Sequence, residues 1–377
     1  MTQFLSNKVF ALEKEPKIWV LAPYLETKDE NIDYYYDFSH SIEEYKHVFD
    51  LLNLQWEWQY VTIKNYPAII DAIIKGATEH SPIFLNLCDG DEINGAPGVS
   101  VIEYLKTKKV RFTGSDVRFY ENTTSKIVMK KIFDQKNIPT APWRAIHHPD
   151  QYMKDIAEAV GLPFIVKPAV SGGSMGLGTR NVIQDEKDLS PLIQSLFEGY
   201  RGWDFSYGGL IAEKFINGPE FTIFISGSYT QAAIAKIYTP IERLFHEHLP
   251  DTEKFLSFDR LWETYENEQP VNNNEDFYQY GVAPASMHSG LKQLAWEAYC
   301  AVEGTGYGRV DIRMDKADGS LYVLEVNAQC GLSEDENYTS IGAIVRLGAH
   351  PYHEMIQHIL EDACRRFISK KSTKVVH

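Results

Sequence analysis

The 377-residue chain is poor in several things that would have directed its reading elsewhere. It has four cysteines (Cys88, Cys300, Cys330 and Cys364), none in CxxC spacing. That excludes a zinc ribbon or a disulfide framework and points to reduced thiols. Positive charge is scarce: the formal net charge is −15, and the nearest basic clusters are Lys106–Lys109 and Lys370–Lys374. A nucleic-acid binder would need a basic face, so no nucleic-acid partner is expected. No apolar run approaches the ~20 residues needed to cross a bilayer, so no membrane partner is expected either. The start of the chain lacks a basic-then-apolar signal pattern, which leaves the cytoplasm as the expected location. Neither a GK[ST] phosphate loop nor a GxGxxG dinucleotide turn occurs.

Hydrophobic residues make up 44% of the sequence, enough for sizeable cores, and the length fits two or three domains or one large one. Lys17–Tyr24 reads as a first strand, followed by an acidic, tyrosine-rich stretch, Glu26–Asp37. Ser41 and Glu44 form a candidate capping box for a helix reaching about Asn53, with Ile42, Tyr45, Val48, Phe49 and Leu52 on its apolar stripe. A strand at Trp56–Thr62, a helix at Tyr66–Lys75 and a strand at Ile83–Leu87 continue an alternation typical of a parallel α/β sheet. Further on, Asn122–Asn137 predicts a helix stopped by Pro139 and Pro142, and Pro163–Pro168, Gly209–Phe215 and Glu220–Ser226 predict strands. Ser289–Glu303 and Pro351–Ile368 predict helices, and Thr239–Gly281 is the least regular segment, with Asn272–Asn274 as an exposed tip.

The strongest chemical signal is RVDIRMDKADGSLYVLEVNAQCG, Arg309–Gly331. Two alternating runs flank a turn at Asp318-Gly319, the pattern of a β-hairpin. With the turn centred near Asp318, Asp311 falls opposite Glu325 and Arg309 opposite Asn327. Side chains alternate along a strand, so these four share one face, while Val310, Ile312, Leu324 and Val326 face the core. Two facing carboxylates repel, and a hard cation resolves the conflict. Mg²⁺ suits such a set, taking a few carboxylates and leaving positions for phosphate oxygens. A solvated hairpin in which Arg309 bridges the two acids is the bland alternative.

A second signal is PFIVKPAVSGGSMGLG, Pro163–Gly178, in which a strand delivers Lys167 into a Gly- and Ser-rich loop. Glycines let backbone N–H groups close on a phosphate, and Ser174 would add a hydroxyl. Ile211–Glu220 offers a strand end at Glu213, with Lys214, Phe215 and Ile216, and then Glu220.

Taken in order, FTGSD (Phe112–Asp116), the helix bearing Lys126, IVKPAVSGGSMGLG, EKFINGPEFT, GTGYGRVDIRMD and LYVLEVNAQCG resemble the D-alanine–D-alanine ligase branch of the ATP-grasp superfamily. The likeness is good over 112–226 and 288–350 and matches only in type before that. The resemblance implies an α/β (α+β) ATP-grasp fold of three domains, with ATP clamped between the central and C-terminal ones. The corresponding boundaries are 1–120, 121–219 and 220–368, with a lid insertion at 239–281 and a tail at 369–377. It implies an ADP-forming carboxylate–amine ligase working through an acyl phosphate on amino-acid-like substrates. Lys126 and Lys167 then correspond to the phosphate lysines, and Ser174 to the loop over the phosphates. Glu213 with the Phe215–Ile216 main chain corresponds to the adenine contact, and Glu220 to the ribose contact. Asp311, Glu325 and Asn327 correspond to ligands of Mg²⁺ (two ions, with Mn²⁺ an option), and Arg309 and the Gly331 N–H to oxyanion stabilisers. A homodimer is implied as well.

The departures fall on substrate recognition. PYLETKDENIDYYYDFSHS replaces the family's first Gly-rich loop, and LCDGDEINGAPG its second, where Asp89, Asp91 or Glu92 would hold a substrate ammonium. Where the family places a serine for the amine-side carboxylate, this chain has Glu336, so that substrate is expected not to be D-alanine, or to be held differently. Lys236 and Arg260 are the candidates for the family's substrate-loop lysine. Two rival readings remain at this level: an ATP-grasp kinase that stops at phosphorylation, and a nucleotide-binding regulator without catalysis.

Overall fold

The protein is described here from a computed structural model, which covers residues 12, 14–25, 37–150, 154–200, 202–266, 268–271, 276–337 and 339–372. Most of the acidic stretch Glu26–Asp37 and the expected tip Asn272–Asn274 lie outside the described residues.

The described residues form three sheets. The first is parallel, ordered β2 (Gln55–Val61), β1 (Pro16–Pro23), β3 (Ser81–Asn86), β4 (Arg111–Phe112). Its crossovers are α1 (Ser39–Leu51), α2 (Tyr66–Gly76) and α3 (Val99–Lys108). The expected capping box is not how α1 begins. The helix opens two residues before Ser41, and Asp37 Oδ1 accepts from Ser39 N at 2.9 Å. Glu44 turns inward instead and is buried. Its Oε1 accepts from Ser333 Oγ at 2.6 Å and from the N–H groups of Glu334 and Asp335 at 3.1 Å, fastening α1 to the loop after the acidic hairpin.

The predicted helix 122–137 is two helices, α4 (Val117–Thr124) and α5 (Lys126–Lys136), split at an extended Ser125. The break has a cause: the Lys126 N–H donates to Ala169 O at 2.8 Å, leaving the helical ladder. Asp116 caps α4, its side chain accepting from Phe119 N at 3.0 Å. The second sheet is antiparallel, ordered β5 (Trp143–Ile146), β8 (Leu210–Lys214), β6 (Phe164–Pro168), β7 (Val182–Ile183). Helices α6 (Lys154–Val160) and α7 (Leu189–Glu198) belong with it, their apolar residues packing with those of β6 and β8 in one core.

The third sheet runs β12 (Tyr278–Val282), β11 (Ile241–Phe245), β9 (Glu220–Ser226), β13 (Tyr307–Met314), β14 (Leu321–Ala328), with β10 (Lys236–Ile237) also on β9. The segment expected to be irregular therefore supplies two paired strands, β11 and β12, whose Arg243↔Tyr280 and Phe245↔Tyr278 pairings exploit its aromatics. Between them lies a short helix, α8 (Phe258–Leu261). Helix α9 (His288–Ala301) buries Leu291, Leu294, Ala295 and Ala298 against the sheet, as its stripe predicts. Two final helices, α10 (Ser340–Leu347) and α11 (Tyr352–Ser372), complete the fold. The main apolar core joins the first sheet to these last helices through Tyr45, Phe49, Ile341, Ile344, Ile356 and Leu360.

Candidate functional site

The β13–β14 hairpin has the inferred register at its chemically important end: Arg309 pairs with Asn327 and Asp311 with Glu325. A β-bulge between Asp311 and Ile312 then shifts the pairing, so Ile312 meets Val323. Val323 is accordingly the buried residue, and Leu324, expected in the core, is only half-buried. A bulge leaves one residue unpaired and re-aims those beyond it.

On the shared face, Asn327 Nδ2 lies 3.1 Å from Asp311 Oδ2 and 3.2 Å from Glu325 Oε1. Arg309 clamps Asp311 with Nε at 3.0 and 3.1 Å and Nη2 at 2.9 Å. Opposite Asp311 on β9, Thr222 is buried with its hydroxyl oxygen lacking a partner. Among the described residues no group of three His, Cys, Asp or Glu is poised for a metal. The set is two carboxylates and an amide, and a half-turn of the Asn327 amide would present its oxygen in place of its N–H groups. Such an all-oxygen set fits a hard divalent cation that keeps part of its coordination for phosphate and water.

Lysines face this acid pair. Lys126 Nζ is 3.8 Å from Glu325 Oε2 and donates to Ser171 O at 3.1 Å. Burial would raise the Glu325 carboxyl, but Lys126, Lys167 and Arg309 outweigh it and hold the group below its ordinary value. Burial lowers Lys126. Lys167 pairs closely with Glu213 Oε1, and Lys130, not anticipated from sequence, sits 2.9 Å from Glu213 Oε2. Lys130 is 1% exposed and also donates to Thr140 Oγ1 and, at 3.3 Å, to Val323 O. Burial opposes the Glu213 charge, yet the two lysines pull its carboxyl down to about 2. The Glu213 side chain thus orients Lys167, and both its oxygens are occupied by lysines.

The Gly-rich loop is built for close approach. Gly173 and Gly176 have φ of +55° and +79°, and a Cβ on Gly176 would lie 2.7 Å from the Phe205 ring. Buried Asn181 holds the loop, donating to Val166 O at 2.8 Å and Gly176 O at 2.9 Å and accepting from Gly178 N at 2.8 Å. The segment between β11 and β12 lies over it. Ser174 Oγ donates to Leu256 O at 2.9 Å, Trp262 Nε1 to Gly173 O at 2.9 Å, and Phe258 N to Leu177 O at 2.8 Å.

At the other end, Glu220 is buried between Arg243 and Arg313, with Arg313 Nε at 2.9 Å. Burial raises its carboxyl, and the two arginines overcome this and lower it. Arg313 also donates to Ile216 O at 2.9 Å, bracing the Phe215–Ile216 turn, while its guanidinium lies 5.2 Å from the Phe215 ring.

The proposed substrate residues separate. Asp89 is solvent-accessible, yet the surrounding protein desolvates its carboxyl and pushes it up to about 6. Glu92 has a structural duty: its Oε1 caps α3, accepting from Gly98 N at 3.0 Å and Ser100 N at 2.7 Å. Asp91 closes a turn onto Asn94 N at 3.1 Å. Arg260 is 8% exposed and occupied within the segment between β11 and β12, 2.8 Å from Glu268 Oε2 and 2.8 Å from Glu253 Oε2. Lys236 lies opposite Ser226, at the far end of β9 from Glu220, beside a separate recess with His350 and Glu354. Neither Lys236 nor Arg260 joins the acid–lysine face. Glu336 is paired with Arg346 Nε at 2.9 Å, so its charge is already met. Gly331 is exposed at the end of the hairpin, and Cys330 before it is a buried thiol pushed up to about 12 by burial.

A Gly-rich loop and Lys167 from one antiparallel sheet, with Lys126 from helix α5, facing carboxylates from another sheet, define an ATP-grasp enzyme. The chain belongs to the family described as D-ala D-ala ligase C-terminus, whose model matches residues 132–361, more than half of the chain. It is an ATP-dependent, ADP-forming ligase of carboxylates and amines. Its fold is similar to that of the D-alanine–D-alanine ligase from Bacillus anthracis complexed with ATP (TM-score 0.64, 19% identity, 94% of this chain and 99% of that one). A second crystal structure of the Bacillus anthracis D-alanine–D-alanine ligase gives a TM-score of 0.63 at 18% identity over 95% and 99% of the two chains. The D-alanine–D-alanine ligase from Coxiella burnetii gives 0.64 at 13% identity over 95% and 98%.

Proposed function

We propose that the chain joins an amino acid, activated at its carboxylate, to an amine or second amino acid. The observation that carries this is the convergence of Asp311, Glu325 and Asn327 on one face, with Lys126 beside Glu325. Lys126 and Lys167 bind phosphate oxygens of ATP, and the Gly172–Gly176 backbone with Ser174 covers them once the Ser174 hydroxyl leaves Leu256. The Phe215–Ile216 main chain meets adenine, with Glu213 ordering the lysines behind it. Glu220 keeps lone pairs for a ribose hydroxyl between its two arginines.

Asp311, Glu325 and Asn327 would hold Mg²⁺, two ions or Mn²⁺ in its place, which supply charge neutralisation on the transferring phosphate. The acid substrate's carboxylate oxygen attacks the γ-phosphorus, and ADP leaves. The amine then attacks the acyl carbon, and the C–O bond to phosphate breaks. Arg309 and the Gly331 N–H stabilise the oxyanion between these events. This oxyanion pair favours acyl transfer over a kinase that stops at phosphorylation. The three sheets correspond to domains at 1–120, 121–219 and 220–368, with 239–281 as the lid. The working form is a homodimer in the cytoplasm; among the described residues no helix is long and apolar enough to cross a membrane.

Of the three acids in the LCDGDEING segment, Asp89 is the one whose carboxylate is not committed to a turn or a cap in the contacts above, and it holds the acid substrate's ammonium. The test is ADP release from ATP with D and L amino acids, singly and in pairs, with products identified by mass. Asp89→Asn should raise KM for the acid-side amino acid about 10–100-fold, the loss of a charged hydrogen-bonded pair. In the wild type the same KM should rise as pH falls through about 6, where Asp89 takes up a proton. A KM indifferent to both changes would remove Asp89 from the site.

A further inference from the structure

Gln329 stands two residues after Asn327 and two before Gly331, and is 1% exposed. Its backbone is left-handed, with φ of +53°, which few non-glycine residues adopt without a reason. Its side chain leaves the hairpin and ends between two segments of the first sheet. Oε1 accepts from Ser115 N at 3.0 Å, and Nε2 donates to Cys88 O at 2.6 Å. The amide orientation is settled by its partners, since one is an N–H and the other a carbonyl. The fit is tight: a Cβ on Gly114 would lie 2.4 Å from Gln329 Oε1, and Gly114 has φ of +84°. Cys88 is the residue before Asp89, and Cys88 N is itself held by Asn86 Oδ1 at 3.2 Å.

We infer that Gln329 is a positioning residue that sets the distance between the acid-substrate loop at Asp89 and the reaction face at Asn327 and Gly331. A single side chain ties β14 to that loop, so the ammonium and carboxylate ends of the bound amino acid are indexed to one another through it. The inference rests on the proposed role of Asp89. Among the described residues the Gln329 side chain bonds to Ser115 N and Cys88 O and to neither the lysines nor the Gly-rich loop, so nucleotide binding should be indifferent to it.

Two substitutions keep its volume. Gln329→Glu retains the acceptor for Ser115 N but turns an oxygen toward the Cys88 carbonyl; Gln329→Met removes both bonds. Three quantities are read on the 377-residue chain: amide hydrogen exchange across residues 88–98, Kd for ATP in Mg²⁺, and KM and kcat for D- and L-alanine in ADP release. The expected result for Gln329→Glu is exchange at least tenfold faster in 88–98, a KM for alanine raised at least tenfold, and ATP Kd within twofold of wild type. Gln329→Met should move the same quantities in the same direction by less. Unchanged exchange in 88–98 would overturn the inference, as would ATP Kd weakening in step with KM, the mark of a general structural role. If the wild type releases no ADP with either alanine, alanine is what fails as the acid substrate, and exchange together with ATP Kd decides the role of Gln329.

Discussion

Replacing Asp311 with asparagine should lower kcat/KM for ADP formation by about 10²–10³-fold, the usual effect of removing one preorganised partner of transition-state charge. The side chain keeps its shape and loses its charge, so the change isolates electrostatics from packing. Glu325 remains close enough to Arg309 to interact with it, and the fold should persist. The loss should appear mainly in kcat, because in the proposed site Lys126 and Lys167 would still hold phosphate oxygens. Activity of Asp311→Asn within a few-fold of wild type would mean that the acidic hairpin is a solvated structural element and not the reaction face.

The largest stability effect is expected at Glu213. Its carboxylate, 2% exposed, is shared by Lys130 and Lys167, and Lys130 is itself buried. Glu213→Gln leaves two ammonium groups in a protein interior without their counter-charge. Breaking a buried ionic group from one side costs about 3–5 kcal/mol, which denaturant unfolding would register. The pH dependence follows from the direction of the shift. Glu213 is held at about 2, below its ordinary 4.5, so its stabilising contribution is fully present above pH 4.5 and disappears as pH falls toward about 2. The wild type should lose stability across that window, and Glu213→Gln should lose less there, having less to lose. Equal acid sensitivity in both proteins would assign the loss to other carboxylates. The same variant should weaken ATP, since Lys167 would no longer be held in place.

These two sites differ in how visible they were in the sequence. The hairpin face was legible because strand side chains repeat every second residue, and a turn centred near Asp318 puts Asp311 opposite Glu325; the pairs next to the turn, Met314 with Leu321 and Arg313 with Tyr322, run one residue out of that register, and the bulge restores it. What escaped was the bulge after Asp311, a one-residue irregularity that no alternation announces. Lys130, Arg313 and Gln329 escaped for another reason. Each acts on a partner distant in sequence: Lys130 on Glu213, Arg313 on Glu220 and Ile216, Gln329 on Ser115 and Cys88. Periodicity reports which face a residue occupies, not which remote segment meets that face. Arg260 is a different case: the resemblance offers it as a candidate for the family's substrate-loop lysine, and its guanidinium is paired with Glu253 and Glu268, a partnership that local sequence does not announce. The spacing of Glu44 to Ser41 predicts a helix cap, whereas Glu44 binds the loop at Ser333–Asp335. Local spacing is a weak guide where a buried tertiary partner competes for the same carboxylate.

The most direct test uses an amino acid that supports ADP release, labelled with ¹⁸O in its carboxylate, together with ATP, Mg²⁺ and the amine partner. Attack of that carboxylate on the γ-phosphorus, followed by amine attack at the acyl carbon, transfers one labelled oxygen to phosphate. Acyl transfer through Arg309 and Gly331 therefore predicts singly ¹⁸O-labelled phosphate in step with the condensed product. Unlabelled phosphate accompanying the same product would contradict it.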